Sequence, residues 1–302
     1  MSFIGHKTLD GTIKGKLSFY CKALGVSRQG FYKHLEASKR PWKYQGLANT
    51  MLEIRAEDEC NDTYGRVRMR HALKQRLPEG SYLPSEGLVQ NIMAMIGISH
   101  TKKHKPNGLT KADREAQKSE NLIKRNFKAE EPAKKCVTDI TEVKGSNGKL
   151  YISGIFDCYD ATPLGLALDT NMKASLCVQT LKNAMTRYPE LRGAIIHSDR
   201  GSQYTSQEYR TAISQYGISQ SMNSAGGRCH DNALCESIWA RMKEELIYGR
   251  IRTEDYTVEE LKQMIWRYFM SYWNNRRICT ANGGLPPAVK RRKYYDALIL
   301  AA

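Results

Sequence analysis

Apolar residues recur at helical spacing over residues 14–36, stop at Gly25, and resume after Ser27, a residue suited to cap a helix N-terminus. The apolar faces of the two predicted helices carry Leu17, Cys21 and Leu24, and then Phe31 and Leu35. This order is typical of a helix-turn-helix, although an ordinary helical hairpin shows the same pattern. If the second helix binds DNA, the residues that it presents are Arg28, Gln29 and Lys33.

Helical spacing continues through the next part of the chain. We expect one helix over residues 47–60 and an amphipathic helix over 64–77, followed by a third over 85–97 that ends at Gly97. The apolar positions predicted to be buried are Val67, Leu73, Leu77, Leu88, Ile92, Met95 and Ile96. The opposite face of the second helix is basic and includes Arg66 and Arg70, which are candidates for DNA contact, with a merely solvated face as the alternative.

The period changes after a lysine-rich stretch of weak periodicity. Short apolar runs at 136–143, 150–158 and 164–169 predict strands, and a helix over 174–189 precedes a buried strand at 194–199. Strands followed by alternating helices and strands predict a mixed α/β sheet with helices on its faces. A long amphipathic helix over 257–277 and a basic tail follow, and the tail either contacts DNA or is solvated.

Five regions follow from this pattern. They are an N-terminal helix-turn-helix-like domain (1–60), a second small helical domain (61–100), a basic linker (101–134), a catalytic core (135–250), and a C-terminal helix with its tail (251–302).

Charge narrows the range of partners. The chain has a net charge of +16, and most of the excess lies before residue 136, which indicates a polyanion such as DNA, with an anionic membrane as the competing partner. The chain has neither a long apolar run nor a secretory segment at its first residues, so we expect a cytoplasmic protein. Its eight cysteines form no C-x-x-C pair and are expected to be free thiols. Zinc binding by His100 and His104, or around Cys229 and Cys235, is disfavoured because a structural site needs four ligands at defined spacings.

Three acidic residues carry the candidate chemistry. Asp139 lies within the first predicted strand, Asp199 at the end of the buried strand, and Glu236 in a predicted helix. Magnesium prefers oxygen ligands and is commonly held by carboxylates together with substrate phosphate oxygens. Two such ions about 4 Å apart can activate an attacking oxygen and stabilise a leaving oxygen at a phosphodiester. We therefore expect these carboxylates to be catalytic and to bind metal.

The segments that carry these acids resemble the DDE transposases of bacterial insertion sequences, in particular the IS-three group. The matching segments, in order, are T-D-I-T (138–141), H-S-D-R-G-S-Q-Y (197–204), G-I-S-Q-S-M (217–222) and D-N-A-x-x-E-S (231–237). The resemblance implies an RNase H-like catalytic core with a mixed five-stranded sheet, in which the first and fourth strands are neighbours. It is preceded by small helical DNA-binding domains and followed by a helical tail.

The resemblance also implies an activity. A member of this family cleaves and joins DNA strands at the ends of its insertion sequence by hydrolysis and transesterification, in a copy-out, paste-in route. It uses two Mg²⁺ ions, for which Mn²⁺ can substitute, and acts on terminal inverted repeats and target DNA as at least a homodimer at the bacterial nucleoid. Some members are fused to the product of an upstream reading frame. The alternatives are a catalytically inactive DNA-binding regulator and a nuclease of the same fold that cuts without joining.

Residues around the three acids have lesser expected roles. Lys243 follows Glu236 by two helical turns and matches a basic residue of the family, so we expect it to contact DNA phosphate. Arg200, Gln203 and Asn232 are further candidates for DNA contact or support of the site. His197 is either a packing residue or a proton shuttle. The other acids are assigned structural, capping or solvent-exposed roles: Glu142, Asp157, Asp160, Asp169, Asp231, Glu244 and Glu245.

Overall fold

A computed structural model describes residue 4 and residues 17–39, 42–100, 120–124, 126–223 and 232–301. Most of the predicted linker lies outside these residues, as do the predicted helix cap Asp231 and the cysteine and histidine at 229 and 230. Two compact units divide the chain, Met1–Leu52 and Glu53–Ala302. The finer five-part division stays a prediction.

The first unit contains the two helices expected from the sequence, α1 (Leu17–Ala23) and α2 (Arg28–Lys39). Gly25 adopts a positive φ of 62° in the turn between them, and the Ser27 hydroxyl accepts a hydrogen bond from the Gly30 amide at 2.9 Å, as a capping residue does. Cys21 and Phe31 are buried with Ile4. Leu24 is 51% exposed, so its predicted burial is wrong.

Helix α3 (Gln45–Ala56) spans the boundary between the units, and a 3-10 turn follows at Glu59–Thr63. The next two helices are α4 (Arg66–Arg76) and α5 (Glu86–Met95), the latter capped by the Ser85 hydroxyl. Their buried faces are Met69, Ala72 and Leu73, and Val89, Ile92 and Met93. Leu73 and Ile92 are buried as predicted, whereas the predicted burial of Val67 and Met95 is wrong because both are exposed.

A five-stranded mixed sheet forms the centre of the second unit. Its strands are β1 (Lys135–Gly145), β2 (Gly148–Asp157), β3 (Pro163–Asp169), β4 (Ile195–Ser198) and β5 (Ser219–Met222). The spatial order is β3-β2-β1-β4-β5, with β1 antiparallel to β2 and parallel to β4. The sheet and the neighbouring first and fourth strands confirm the expected fold of the core.

Helices cover both faces of this sheet. Helix α6 (Ala174–Arg187) and a 3-10 turn (Pro189–Leu191) lead into β4, and α7 (Ser202–Thr205) and α8 (Gln207–Gln215) lead into β5. They pack with Cys136, Ile155 and Ile196 in one cluster of buried residues. Helix α9 (Ala233–Met242) continues as a π-helix, Lys243–Ile247. Both contribute to a second cluster of buried residues.

The C-terminal part belongs to this second cluster. After a 3-10 turn (Thr253–Asp255), helix α10 (Val258–Arg267) begins with a capping box and continues as a π-helix, Tyr268–Trp273; a further 3-10 turn (Thr280–Asn282) precedes α11 (Pro287–Ala301). Tyr268, Phe269, Tyr272 and Trp273 of the π-helix are buried, whereas Trp266 of α10 is 47% exposed. In the part of the chain that the structure describes, no helix is long and apolar enough to cross a membrane.

Candidate active site

The parallel pairing of β1 with β4 brings Asp139 and Asp199 to one region of the sheet. Val137 pairs with His197 in this ladder. Asp139 lies two residues after Val137, and Asp199 lies two residues after His197. Side chains two residues apart along a strand point to the same face. Both carboxylates therefore extend from the same end of the pair, and both are half-buried.

Helix α9 supplies the third acid. Glu236 lies in its first turn and is exposed. The start of this helix is tied to β1 because the buried Asn232 amide donates to the Thr138 carbonyl oxygen at 3.1 Å, next to Asp139. The Thr138 hydroxyl in turn donates to the Gly154 carbonyl at 2.9 Å. Helix and strand are thus held together at the residue that precedes the first acid.

The charges of Asp199 and Glu236 both act on Asp139. Burial, together with the negative charges of Asp199 and, less strongly, Glu236, raises the pKa of Asp139 to about 8. Burial also raises the pKa of Asp199, which a hydrogen bond from the Gly201 amide at 2.9 Å and the nearby His197 oppose. The surroundings of Asp139 and Asp199 therefore disfavour the ionised form of both carboxyl groups.

The donor chemistry of this cluster fits a hard divalent cation. Its acids offer carboxylate oxygens, and a cation between them would remove the repulsion that raises the Asp139 pKa. Among the described residues, however, no three His, Cys, Asp or Glu side chains are grouped so that they could hold one metal ion together. Shared coordination by Asp139, Asp199 and Glu236 therefore remains a prediction.

The candidate DNA-contact residues of the core have different surroundings. Lys243 is half-buried in the π-helix; burial lowers its pKa, and the charges of Glu142 and Asp139 oppose that shift. It lies on the side of the acids. Arg200 is half-buried and donates to the Asn223 carbonyl at 2.6 Å, and Gln203 donates to the Met172 carbonyl at 3.1 Å. Asn232 is only 4% exposed, a burial that suits support of the site.

The candidate DNA-contact residues of the N-terminal region lie on helices. Arg28, Gln29 and Lys33 are all exposed on α2. On α4, Arg66 is exposed and forms a 3.4 Å ion pair with Glu86, whereas Arg70 donates to the Pro84 carbonyl at 2.9 Å. The first three thus form an open basic surface on their own helix, and the last two already have partners within the protein.

His197 is a packing residue. Its ring is fully buried in β4, with Nδ1 2.8 Å from the Ser221 hydroxyl and Nε2 2.9 Å from the Asn223 side-chain oxygen. Both ring nitrogens are therefore engaged with β5 and the residue after it. This arrangement favours the packing alternative over a proton shuttle.

Three acids expected near solvent are buried in ion pairs instead. Glu245 is fully buried and accepts hydrogen bonds from Arg68, Arg277 and the Tyr268 hydroxyl at 2.7 to 2.8 Å. Asp157 and Asp160 are buried against Arg291 of α11. The prediction of exposure or solvation was wrong because the arginines that compensate these acids lie far away in the sequence.

Two residues beside Asp139 had no predicted role. Gly154 is the cross-strand partner of Asp139, and Trp239 on α9 packs over it. A glycine inside a strand is the available signal, because it commonly marks the close approach of another group. Trp239 also lies three residues after Glu236, one turn along the same helix.

Comparison with known proteins identifies the family of this chain. Two integrase core domain models match the chain, over residues 129–227 and 216–287. The chain is 30% identical over 274 residues to the putative transposase InsK for insertion sequence element IS150 of Escherichia coli (strain K12), which covers 91% of this chain and 93% of that protein. The chain belongs to the family of insertion-sequence transposases. Membership confirms the predicted enzyme class, a transposase that cuts and joins DNA strands.

Other relatives of this transposase family align over similar lengths. The insertion element IS600 31 kDa protein of Shigella sonnei is 30% identical over 278 residues, 91% of this chain and 98% of that protein. Transposase InsF for insertion sequence IS3A of Escherichia coli (strain K12) is 27% identical over 270 residues, 88% of this chain and 91% of that protein. Among solved structures, the HTLV-2 integrase catalytic core domain in complex with magnesium matches with a TM-score of 0.37 and 14% identity, covering 52% of this chain and 94% of that chain.

Proposed function

We propose that this transposase cleaves a phosphodiester at each end of its insertion sequence and joins the freed 3′ hydroxyl to a second phosphodiester, in a copy-out, paste-in route. The observation that supports this most directly is the register of β1 and β4, which leads to Asp139 and Asp199 on one side of the sheet. The charge of Glu236 acts on the Asp139 carboxylate.

In this proposal, Asp139, Asp199 and Glu236 hold two Mg²⁺ ions, and we expect Mn²⁺ to substitute. Bound divalent ions supply charge neutralisation at the attacking and leaving oxygens of a phosphodiester. The protein's own residues position the reactants. Gly201 donates its amide to Asp199 and fixes that carboxylate, and Asn232 fixes the start of the helix that bears Glu236. Positioning and electrostatics then account for the rate.

DNA binding in the proposal uses two surfaces, one in each unit. Lys243, Arg200 and Gln203 lie around the acids and contact phosphates near the cleaved bond, with Arg66 and Arg70 as further contacts in the same unit. The exposed Arg28, Gln29 and Lys33 of α2 contact double-stranded DNA of the terminal repeat. Because two DNA ends must be joined, we expect at least a homodimer at the nucleoid, with an upstream-frame product as a further partner.

A gel assay with labelled element-end DNA tests this function. The wild-type protein is expected to give cleaved and joined products only when Mg²⁺ or Mn²⁺ is added, and Asp199→Asn is expected to bind the same DNA without forming either product. Full strand transfer by Asp199→Asn would contradict the site assignment. Binding without any product by the wild type would indicate the regulator, and cleavage without joining would indicate the nuclease.

A further inference from the structure

A space beside Asp139 exists because its neighbour across the sheet has no side chain. Asp139 and Gly154 are directly opposed in the antiparallel pair, and opposed residues project to the same face. A Cβ atom on Gly154 would lie 2.7 Å from a ring carbon of Phe156 and 3.0 Å from Cη2 of Trp239. The Trp239 ring therefore occupies side-chain space on the face of the sheet that bears the first acid.

The polar atom of this ring is buried without a partner. Trp239 is 4% exposed, and its indole Nε1 makes no hydrogen bond among the described residues. The rings that pack against it, Phe156 and Phe269, meet it edge to face and offer no oxygen acceptor. An indole N–H can only donate, and a buried donor without an acceptor is unfavourable. Such an atom is rare enough to require an explanation.

Asp139 is the acceptor within reach. Donation from Trp239 is among the influences that lower the pKa of Asp139, although the N–H lies outside hydrogen-bonding geometry in this structure. The two groups are close but not hydrogen-bonded. Both side chains lie on the same face of the β1 and β2 pair.

We propose that Trp239 is a positioning residue, whose indole N–H donates to the Asp139 carboxylate when that carboxylate binds a divalent cation and so fixes its orientation. This inference rests on the proposed function. A donor behind a metal-binding carboxylate holds it in one orientation, and loss of such a partner commonly weakens metal binding or activity about 10-fold to 100-fold. Because Trp239 follows Glu236 by one helical turn, the same bond would also set the distance of α9 from β1.

The full-length chain offers a matched pair of substitutions. Trp239→Phe removes the unbonded N–H, and Trp273→Phe removes an equally buried indole whose N–H donates to the Ala161 carbonyl at 2.9 Å. Both lose the same volume, but only Trp273→Phe leaves a carbonyl without its donor. We expect Trp273→Phe to lower the melting temperature more and to retain metal binding and strand joining.

The readouts are Mn²⁺ affinity by electron paramagnetic resonance, the joining rate, and the melting temperature. Trp239→Phe is expected to weaken Mn²⁺ binding and slow joining about 10-fold or more, while binding of element-end DNA in Ca²⁺ stays at the wild-type level. Site-specific replacement of Trp239 by 3-benzothienylalanine, which keeps the double ring and replaces N–H by sulfur, is expected to give the same loss.

Two results would overturn the inference. One is wild-type Mn²⁺ affinity and joining by both Trp239 variants, and the other is an equal loss of Mn²⁺ affinity in Trp273→Phe, which would indicate a general packing effect. Failure of the proposed function is distinguishable, because there the wild-type protein itself would neither bind Mn²⁺ nor join DNA.

Discussion

Glu245 is fully buried and Asp139 is half-buried in the same unit, and their pKa values move in opposite directions. Burial favours the neutral form of Glu245, but the charge and hydrogen bonds of Arg277, together with Arg68, hold its pKa at about 2. Burial and the neighbouring Asp199 raise the pKa of Asp139 to about 8. The first acid has its compensating charge within the protein, and the second does not.

The difference separates a structural acid from one suited to bind a ligand. Glu245 accepts hydrogen bonds from three side chains that come from three different segments, so its charge holds those segments together. The negative charges of neighbouring acids raise the pKa of Asp139. The half-buried Lys243 is a nearby positive charge that acts against them. A carboxylate in such surroundings gains most from an external cation.

The largest expected effect comes from removing the charge of Asp139. We expect Asp139→Asn to reduce metal-dependent cleavage and joining more than about 1,000-fold, because a metal-binding carboxylate is lost. Its free energy of unfolding at pH 7 without divalent ions should stay close to that of the wild type, because a carboxyl group with a pKa of about 8 is largely neutral at that pH, as the asparagine is. Asp169→Asn, at the end of β3, is the control and should retain activity. An active Asp139→Asn protein would remove Asp139 from the site.

Removing the charge of Glu245 should act on stability instead. Glu245→Gln leaves Arg68 and Arg277 buried without their counter-ion, so we expect the free energy of unfolding to fall by about 3–5 kcal/mol, measured by urea denaturation. Glu259→Gln breaks a solvent-exposed pair with Lys262 and should cost no more than about 0.5 kcal/mol. Equal losses in the two variants would show that burial of the Glu245 cluster contributes nothing.

Acid should remove the stabilisation that Glu245 provides. Its pKa is lower in the folded chain, about 2, than the ordinary value of 4.5, so the folded state binds its proton less readily. The stabilising contribution is therefore fully present above pH 4.5 and is lost as the pH falls towards 2. We expect the gap in melting temperature between wild type and Glu245→Gln to narrow over that range. A gap that widens on acidification would contradict this sign.

Divalent ions should stabilise the wild-type chain by a smaller amount. At a Mg²⁺ concentration ten times the dissociation constant, the free energy of unfolding should rise by about 1.4 kcal/mol, because the ion binds only the folded state. Glu259→Gln should show the same rise in melting temperature, and Asp139→Asn should show much less. A rise of equal size in Asp139→Asn would place the bound ion elsewhere.

The order of elements, with Asp139 in a strand and Asp199 directly after one, could be predicted from sequence because the signals are local. The apolar run before Asp199 and the alternation around Asp139 predict strands, and the resemblance to a known family supplies their adjacency, which the parallel ladder confirms. The prediction of buried positions on short helices was less accurate. Met95 is exposed and Met93 is buried. Apolar residues occur on every side of this helix, so the elements that pack against it decide which face is covered, and the periodicity does not.

The compensation of buried acids could not be predicted in the same way. Arg277 lies 32 positions after Glu245, and Arg291 lies 131 positions after Asp160. No periodic pattern connects such pairs, and an acid that follows an amphipathic helix looks exposed in isolation. The role of Gly154 is likewise visible only once the register places it opposite Asp139.

The ladder between β1 and β4 also determines which changes in chain length the transposase can tolerate. Extra residues in the turn before α6 or between α6 and β4 would leave the pairing of Val137 with His197 intact. One residue inserted between His197 and Asp199 would instead turn the second acid to the opposite face of the sheet. Changes in the length of these connections should therefore spare the site, whereas a change in the count of residues at the end of the fourth strand should not.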